Sequence, residues 1–208
     1  MLAERLGFFL LDTGALYRVM ALHLLRKGIS PDLDHIPETA LSLNLTIEPG
    51  VASMNLFLGK EDVTRIIREE QIGIAASKFS AKPEVRAALL GLQRSAGDRW
   101  DLVAEGRDMG TVVFPDAWVK FFLTASLQER SKRRFRELAA RGESPEFDEV
   151  LEEMRARDHR DETRNEAPLK KAPDALEIDT TELILEDVLA VMLAHVESRM
   201  CRRLKEQN

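Results

Sequence analysis

The sequence predicts an α/β fold, a parallel sheet flanked by helices. Three observations carry that expectation. Short apolar runs at residues 8–11, 101–104, 118–123 and 175–179 alternate with longer helix-forming stretches, as strand–helix–strand units require. The chain has 208 residues, 44% of them apolar, enough for one sizeable core. No internal repeat or low-complexity linker breaks the pattern.

Each element has a local reason. Phe-Phe-Leu-Leu at 8–11 reads as a buried strand. Asp12, Thr13 and Gly14 then offer capping chemistry for a helix to about Lys27, closed by Gly28. Leu16, Met20 and Leu24 mark one side of it, with Val19 and Leu22 adjacent. A short helix is expected near 36–43. Leu-Thr-Ile-Glu at 45–48 and Asn-Leu-Phe-Leu at 55–58 flank a loop over 49–54, which suggests a small hairpin. Helices are expected over 69–82 and 83–96, with Pro83 suited to a first helical turn. Strands at 101–104 and 118–123 follow, then polar helices at about 126–141 and 146–164. A strand at 175–179 and a helix over about 185–204 complete the order. The hairpin and the two polar helices are excursions from the sheet.

Bulk properties exclude several classes. Net charge is −6, from 30 basic and 36 acidic residues, so the whole chain is not an electrostatic nucleic-acid binder. A lone cysteine, Cys201, can make no internal disulfide and belongs to no metal-ligand cluster. No apolar run approaches membrane-span length, and the N-terminal residues do not read as a signal peptide. A cytoplasmic setting without a membrane partner is the expectation. The four histidines lack nucleophile partnering, and Trp100 and Trp118 read as packing residues.

The polar helices differ in charge. Residues 126–142 carry six Lys/Arg against two Glu, whereas residues 146–166 carry nine acids against four Arg. Arg130 and Arg134 are at i and i+4 with Arg133 beside them. Arg157, Asp161 and Arg164 share a face by i, i+4, i+7 spacing. Arginine suits bidentate phosphate binding, but it also suits salt bridges, and the spacing leaves both readings open.

"EGRDMGTVVFP" at 105–115 sets Glu105, Arg107 and Asp108 directly after a strand. Burying such charges without partners is costly, so they should end at a rim where something pairs with them.

These segments carry a resemblance. "LLDTGALYR" at 10–18, "AASKFSAKPEVRAALLGLQR" at 75–94, "EGRDMGTVVFPDA" at 105–117 and "RDHRDETRNEAPLKKAPDALEIDTT" at 157–181 resemble bacterial cytidylate kinases in order and spacing, over essentially the whole chain. The resemblance implies a P-loop nucleoside monophosphate kinase fold as a single domain over 1–208. A monophosphate-binding lobe with an insert would span 30–96, and an Arg-rich lid with its following helix 126–164. The implied reaction transfers the ATP γ-phosphoryl group to CMP or dCMP, with Mg2+, in a monomeric enzyme.

Residue roles follow from the same resemblance. Arg18, Arg107 and Arg164 would hold the acceptor phosphate, and Arg130, Arg133 and Arg134 the ATP side, with Arg107, Arg130, Arg133 and Arg134 serving catalysis. Ser77, Arg86 and Asp108 would read the base. Cytosine offers ring acceptors and an amino donor, so guanidinium donors beside a carboxylate acceptor fit it, whereas uracil would set a carbonyl against Asp108. Arg157 and Asp161 would reach the pentose. Thr13 would lie near the substrate, or cap its helix, or both. Glu105 would sit near the metal, or only cap its strand.

One departure stands out. The family's fold opens with a strand running into G-x-x-x-x-G-K-[ST], whose backbone cradles ATP phosphates. The 208 residues contain no such run; Gly59-Lys60 lacks both the upstream glycine and the following hydroxyl residue. Measured against a strand–helix–strand unit, about twenty to twenty-five N-terminal residues are expected to be missing. Impaired turnover, exposed apolar surface and self-association would follow. A CMP-binding remnant without activity and a helical interaction protein are the alternative readings.

Overall fold

A computed structural model describes residues 1–51 and 53–206. Ala52, inside the loop expected over 49–54, lies outside the described residues. The chain divides into two compact units, Met1–Phe114 and Pro115 onward.

The first unit runs α1 (Leu2–Leu6), β1 (Phe9–Asp12), α2 (Thr13–Arg26), β2 (Leu45–Pro49), β3 (Met54–Leu58), β4 (Glu61–Asp62), α3 (Glu70–Phe79), α4 (Pro83–Arg99) and β5 (Leu102–Glu105). β1 and β5 pair in parallel, in register from Phe9 opposite Leu102 to Asp12 opposite Glu105. β2, β3 and β4 form a separate antiparallel sheet. Parallel pairing is possible because α2 to α4 and the small sheet supply the long crossover it needs.

α2 is the centre of the unit. Ala15, Leu16, Val19, Met20, Ala21 and Leu24 have no exposed surface. Its burial extends well beyond the single stripe expected from Leu16, Met20 and Leu24, because α3 and the antiparallel sheet pack against it as well. Each large apolar side chain so buried contributes about 1.5–3 kcal/mol. Leu56 of β3, Ile67, Phe79 of α3 and Leu89 of α4 complete the same core. Trp100 packs against it with its ring edge-on to Phe9, 6.0 Å between centroids.

Three local expectations change. The helix near 36–43 is only a 3-10 turn, Glu38–Ala40. Pro37 fixes its entry, and the chain must already extend into β2 at Leu45, which leaves no room for α-helical turns. β4 is too short to have left an apolar pattern. The chain after β5 forms a π-helical turn, Met109–Val113, for which sequence periodicity has no signature.

The second unit runs β6 (Phe121–Thr124), α5 (Leu127–Ala140), α6 (Phe147–Thr163), β7 (Leu176–Asp179) and α7 (Leu185–Glu206). β6 and β7 pair in parallel, Phe121 opposite Leu176. The expected strand at 118–123 thus starts three residues late, where β7 first offers a partner. α5 and α6 pack together through an edge-on contact of Phe135 with Phe147. Ser126 caps α5 by accepting from the Glu129 amide. His195 packs edge-on to Phe121. Among the described residues no helix is long and apolar enough to cross a membrane.

Candidate active site

In the first unit the candidate residues gather where β1 and β5 end. Asp12 is the last residue of β1 and caps α2, accepting from the Ala15 amide at 2.9 Å. Its other oxygen accepts from Arg68 Nη2 at 2.9 Å. The cap is therefore Asp12 and not Thr13. Thr13 is almost fully buried and donates its hydroxyl hydrogen to the Glu105 carbonyl at 2.7 Å. That bond ties the start of α2 to the end of β5, while the hydroxyl oxygen keeps its acceptor capacity.

Glu105 stands opposite Asp12 in the strand register. Although the residue keeps contact with solvent, its carboxyl group has lost part of its hydration, which raises its pKa above the ordinary value near 4.5. The neighbouring Asp12 carboxylate pushes in the same direction, and Arg68 and Arg107 oppose it. Among the described residues no three Asp, Glu, His or Cys side chains gather into a metal site. A magnesium ion beside Glu105 would take most of its oxygens from phosphate and water, which suits that ion's usual coordination.

Asp108 follows two residues beyond Gly106 and is 3% exposed. Its carboxylate pairs with Arg86 Nη2 of α4. Arg86 also donates to the Ser80 carbonyl at 3.2 Å and lies 5.6 Å from the centroid of the Tyr17 ring. Tyr17, the only tyrosine in the chain, thereby brings α2 beside the base-reading candidates. Ser77 lies on α3, half-buried, with its carbonyl accepting from Ser80 Oγ.

Arg18 leaves α2 next to Tyr17 and runs along α3. Its Nη1 donates to the Ile67 carbonyl at 2.9 Å and lies 3.4 Å from the Glu69 carbonyl. Gly73 permits this course: a Cβ there would stand 2.8 Å from both terminal nitrogens of Arg18. A glycine within a helix costs about 0.5–1 kcal/mol. Here it leaves space for a guanidinium.

The candidates of the second unit are held by their own neighbours. Arg130 forms a two-pronged pair with Asp158 of α6, at 2.8 and 2.7 Å, and donates through Nε to the Ala125 carbonyl. Arg133 reaches Thr180, donating to its hydroxyl at 3.1 Å and its carbonyl at 2.6 Å, and pairs with Glu129. Arg134 pairs with Glu137 on its own helix. Three arginines close together on α5 thus reach different partners. Asp161 is 5% exposed, with Arg157 Nε at 4.0 Å and Arg164 Nη1 at 3.7 Å. Arg164 also donates to the Ala167 carbonyl at 2.8 Å.

A family model described as cytidylate kinase matches residues 1–198. The chain belongs to the cytidylate kinase family. A protein named cytidylate kinase from Geobacter sp. (strain M21) is 46% identical over 203 residues, covering 97% of this chain and 87% of the relative. Proteins of the same name from Mannheimia succiniciproducens and Aeromonas salmonicida are also 46% identical, over 96% of this chain and 89% and 87% of their own. Membership makes the chain a nucleotide-binding transferase of the kinase class. Arg68 and Tyr17 are site neighbours that sequence reasoning missed. Arg68 is hidden in a mixed-charge run, and Tyr17 looks like one more apolar residue of α2.

Proposed function

We propose that the first unit binds CMP or dCMP as the acceptor of the ATP γ-phosphoryl group, giving CDP or dCDP. The observation that carries the reading is the sequestered Arg86–Asp108 pair beside Tyr17. A guanidinium aimed at the ring acceptors and a carboxylate facing the exocyclic amino group match cytosine, and uracil would set carbonyl oxygen against carboxylate. Arg18 and Arg107 are the phosphate holders on this reading, with Ser77 assisting at the base and Thr13 near the substrate.

For the second unit the support is the family resemblance. Arg157 and Asp161 are assigned to the pentose, Arg164 to the acceptor phosphate, and Arg130, Arg133 and Arg134 to the ATP phosphates. Phosphoryl transfer asks the protein chiefly for positioning and positive charge, since two anions must approach each other. The arginines supply that charge, and their present acidic partners keep them solvated or paired until phosphate competes. Magnesium would neutralise part of the phosphate charge, with Glu105 as a nearby carboxylate.

The 208 residues carry no G-x-x-x-x-G-K-[ST] run. On this reading a polypeptide of this sequence binds CMP but turns over slowly, for want of a cradle for the ATP phosphates. Thermal-shift comparison of CMP, UMP and AMP tests the assignment: CMP should stabilise most, and equal shifts would favour a helical interaction protein.

A further inference from the structure

The segment that carries Asp108 is gripped from α4 at both ends, and only one grip involves the carboxylate itself. At the first end Arg86 holds the Asp108 side chain. The main chain then turns through the π-helical segment, in which the Asp108 carbonyl is the shared acceptor. The amides of Thr111, Val112 and Val113 approach it at 3.3, 2.9 and 3.2 Å. Phe114 closes the turn by donating to the Met109 carbonyl at 2.7 Å.

Such turns are rare and are found frequently at functional sites. Carbonyls at the end of a helical turn lack partners within it and need an outside donor. Arg94 is that donor. Its Nη2 donates to the Val112 carbonyl at 2.9 Å and its Nε to the Val113 carbonyl at 3.2 Å. Arg94 follows Arg86 by eight residues on the same helix, about 12 Å along its axis at 1.5 Å per residue. One rigid helix therefore fixes the carboxylate at one end of the turn and the main chain at the other.

We infer that Arg94 is a positioning residue for base recognition, acting through the 109–113 turn to hold Asp108 against its target. The inference rests on Asp108 as the base reader. Guanidinium geometry is what the role needs, because two carbonyls on successive residues are met by two N–H groups of one planar fork, which a lysine ammonium cannot reproduce. Arg94 itself touches no substrate.

The test is calorimetric titration of CMP and UMP into the parent chain, Arg94→Gln, Arg94→Lys and Asp108→Asn, with amide hydrogen exchange over 109–114. Arg94→Gln should weaken CMP about three- to tenfold, as loss of one or two modest hydrogen bonds would, and should narrow the CMP-to-UMP affinity ratio. Exchange in the turn should quicken. Arg94→Lys should fall between the two, and it decides the matter if the glutamine variant does not fold. If Asp108→Asn narrows the ratio while both Arg94 variants leave affinity and ratio unchanged, the inference is wrong although the base-reading assignment survives. Should Asp108→Asn leave the ratio unchanged, the base reading fails and this inference fails with it.

Discussion

The Asp108 carboxylate accepts from the Arg86 guanidinium across 22 residues of chain, and the two side chains are only 4% and 11% exposed. Sequestered charges of this kind seldom add stability over a well-packed apolar pair, but removing one partner alone is costly. On the proposed reading the pair is a recognition device kept at some expense. Asp108→Ala should therefore destabilise the fold by about 3 kcal/mol, read by urea denaturation. It should also weaken CMP about tenfold or more, on the basis of a lost charge-assisted hydrogen bond, and bring CMP and UMP closer together in calorimetric titration.

On the proposed reading Arg18 holds the phosphate and not the base. Its guanidinium lies over Gly73 and is anchored by the Ile67 carbonyl. Arg18→Ala should weaken CMP by about 1.5–3 kcal/mol, the value of a hydrogen bond to a charged group. Cytidine, which has no phosphate, should bind as it does to the parent chain. Competition binding with both ligands checks this; equal losses would remove Arg18 from the phosphate site.

Elements with strong local rules were legible in the sequence. Pro83 marks the start of α4, Asp12 stands at the capping position of α2, and Phe9–Asp12 form a strand as the apolar run predicts. The α2 cap falls on Asp12 because Thr13, one residue on, is drawn to a tertiary partner, the Glu105 carbonyl. Periodicity could not disclose the π-helical turn, since no side-chain repeat distinguishes it. Nor could it pair Arg86 with Asp108, which only the family resemblance brought together in advance. α5 teaches the opposite lesson: Arg130 and Arg134 share a helix face in sequence, yet one pairs with Asp158 and the other with Glu137. Side-chain length and nearby carboxylates decide where an arginine ends, and spacing alone does not.

Stability should depend on pH through His23. Its ring nitrogen meets the Ala40 carbonyl at 3.1 Å. Partial burial lowers its pKa from the ordinary 6.5, and Lys27 adds to that, while the Ala40 and Ser42 carbonyls oppose it. The unfolded chain then binds the proton more readily than the folded one. The contribution of His23 to stability is fully present above pH 6.5 and is lost as pH drops through that value towards the lowered folded pKa. Denaturation midpoints between pH 5 and 7.5 should show this decline, and His23→Gln should reduce it.

Turnover is a separate question from binding. With no G-x-x-x-x-G-K-[ST] run in the 208 residues, a polypeptide of this sequence should release little ADP when given CMP, ATP and Mg2+ in a coupled assay. Brisk, CMP-dependent ADP release would mean that other residues cradle the donor phosphates.

The most direct measurement is isothermal titration of the unaltered chain with CMP and with UMP under identical buffer and salt. Preference for CMP by about tenfold or more, the size of one charge-assisted hydrogen bond, is the predicted result. Indistinguishable affinities for the two nucleotides would contradict the assignment of Arg86 and Asp108 to cytosine.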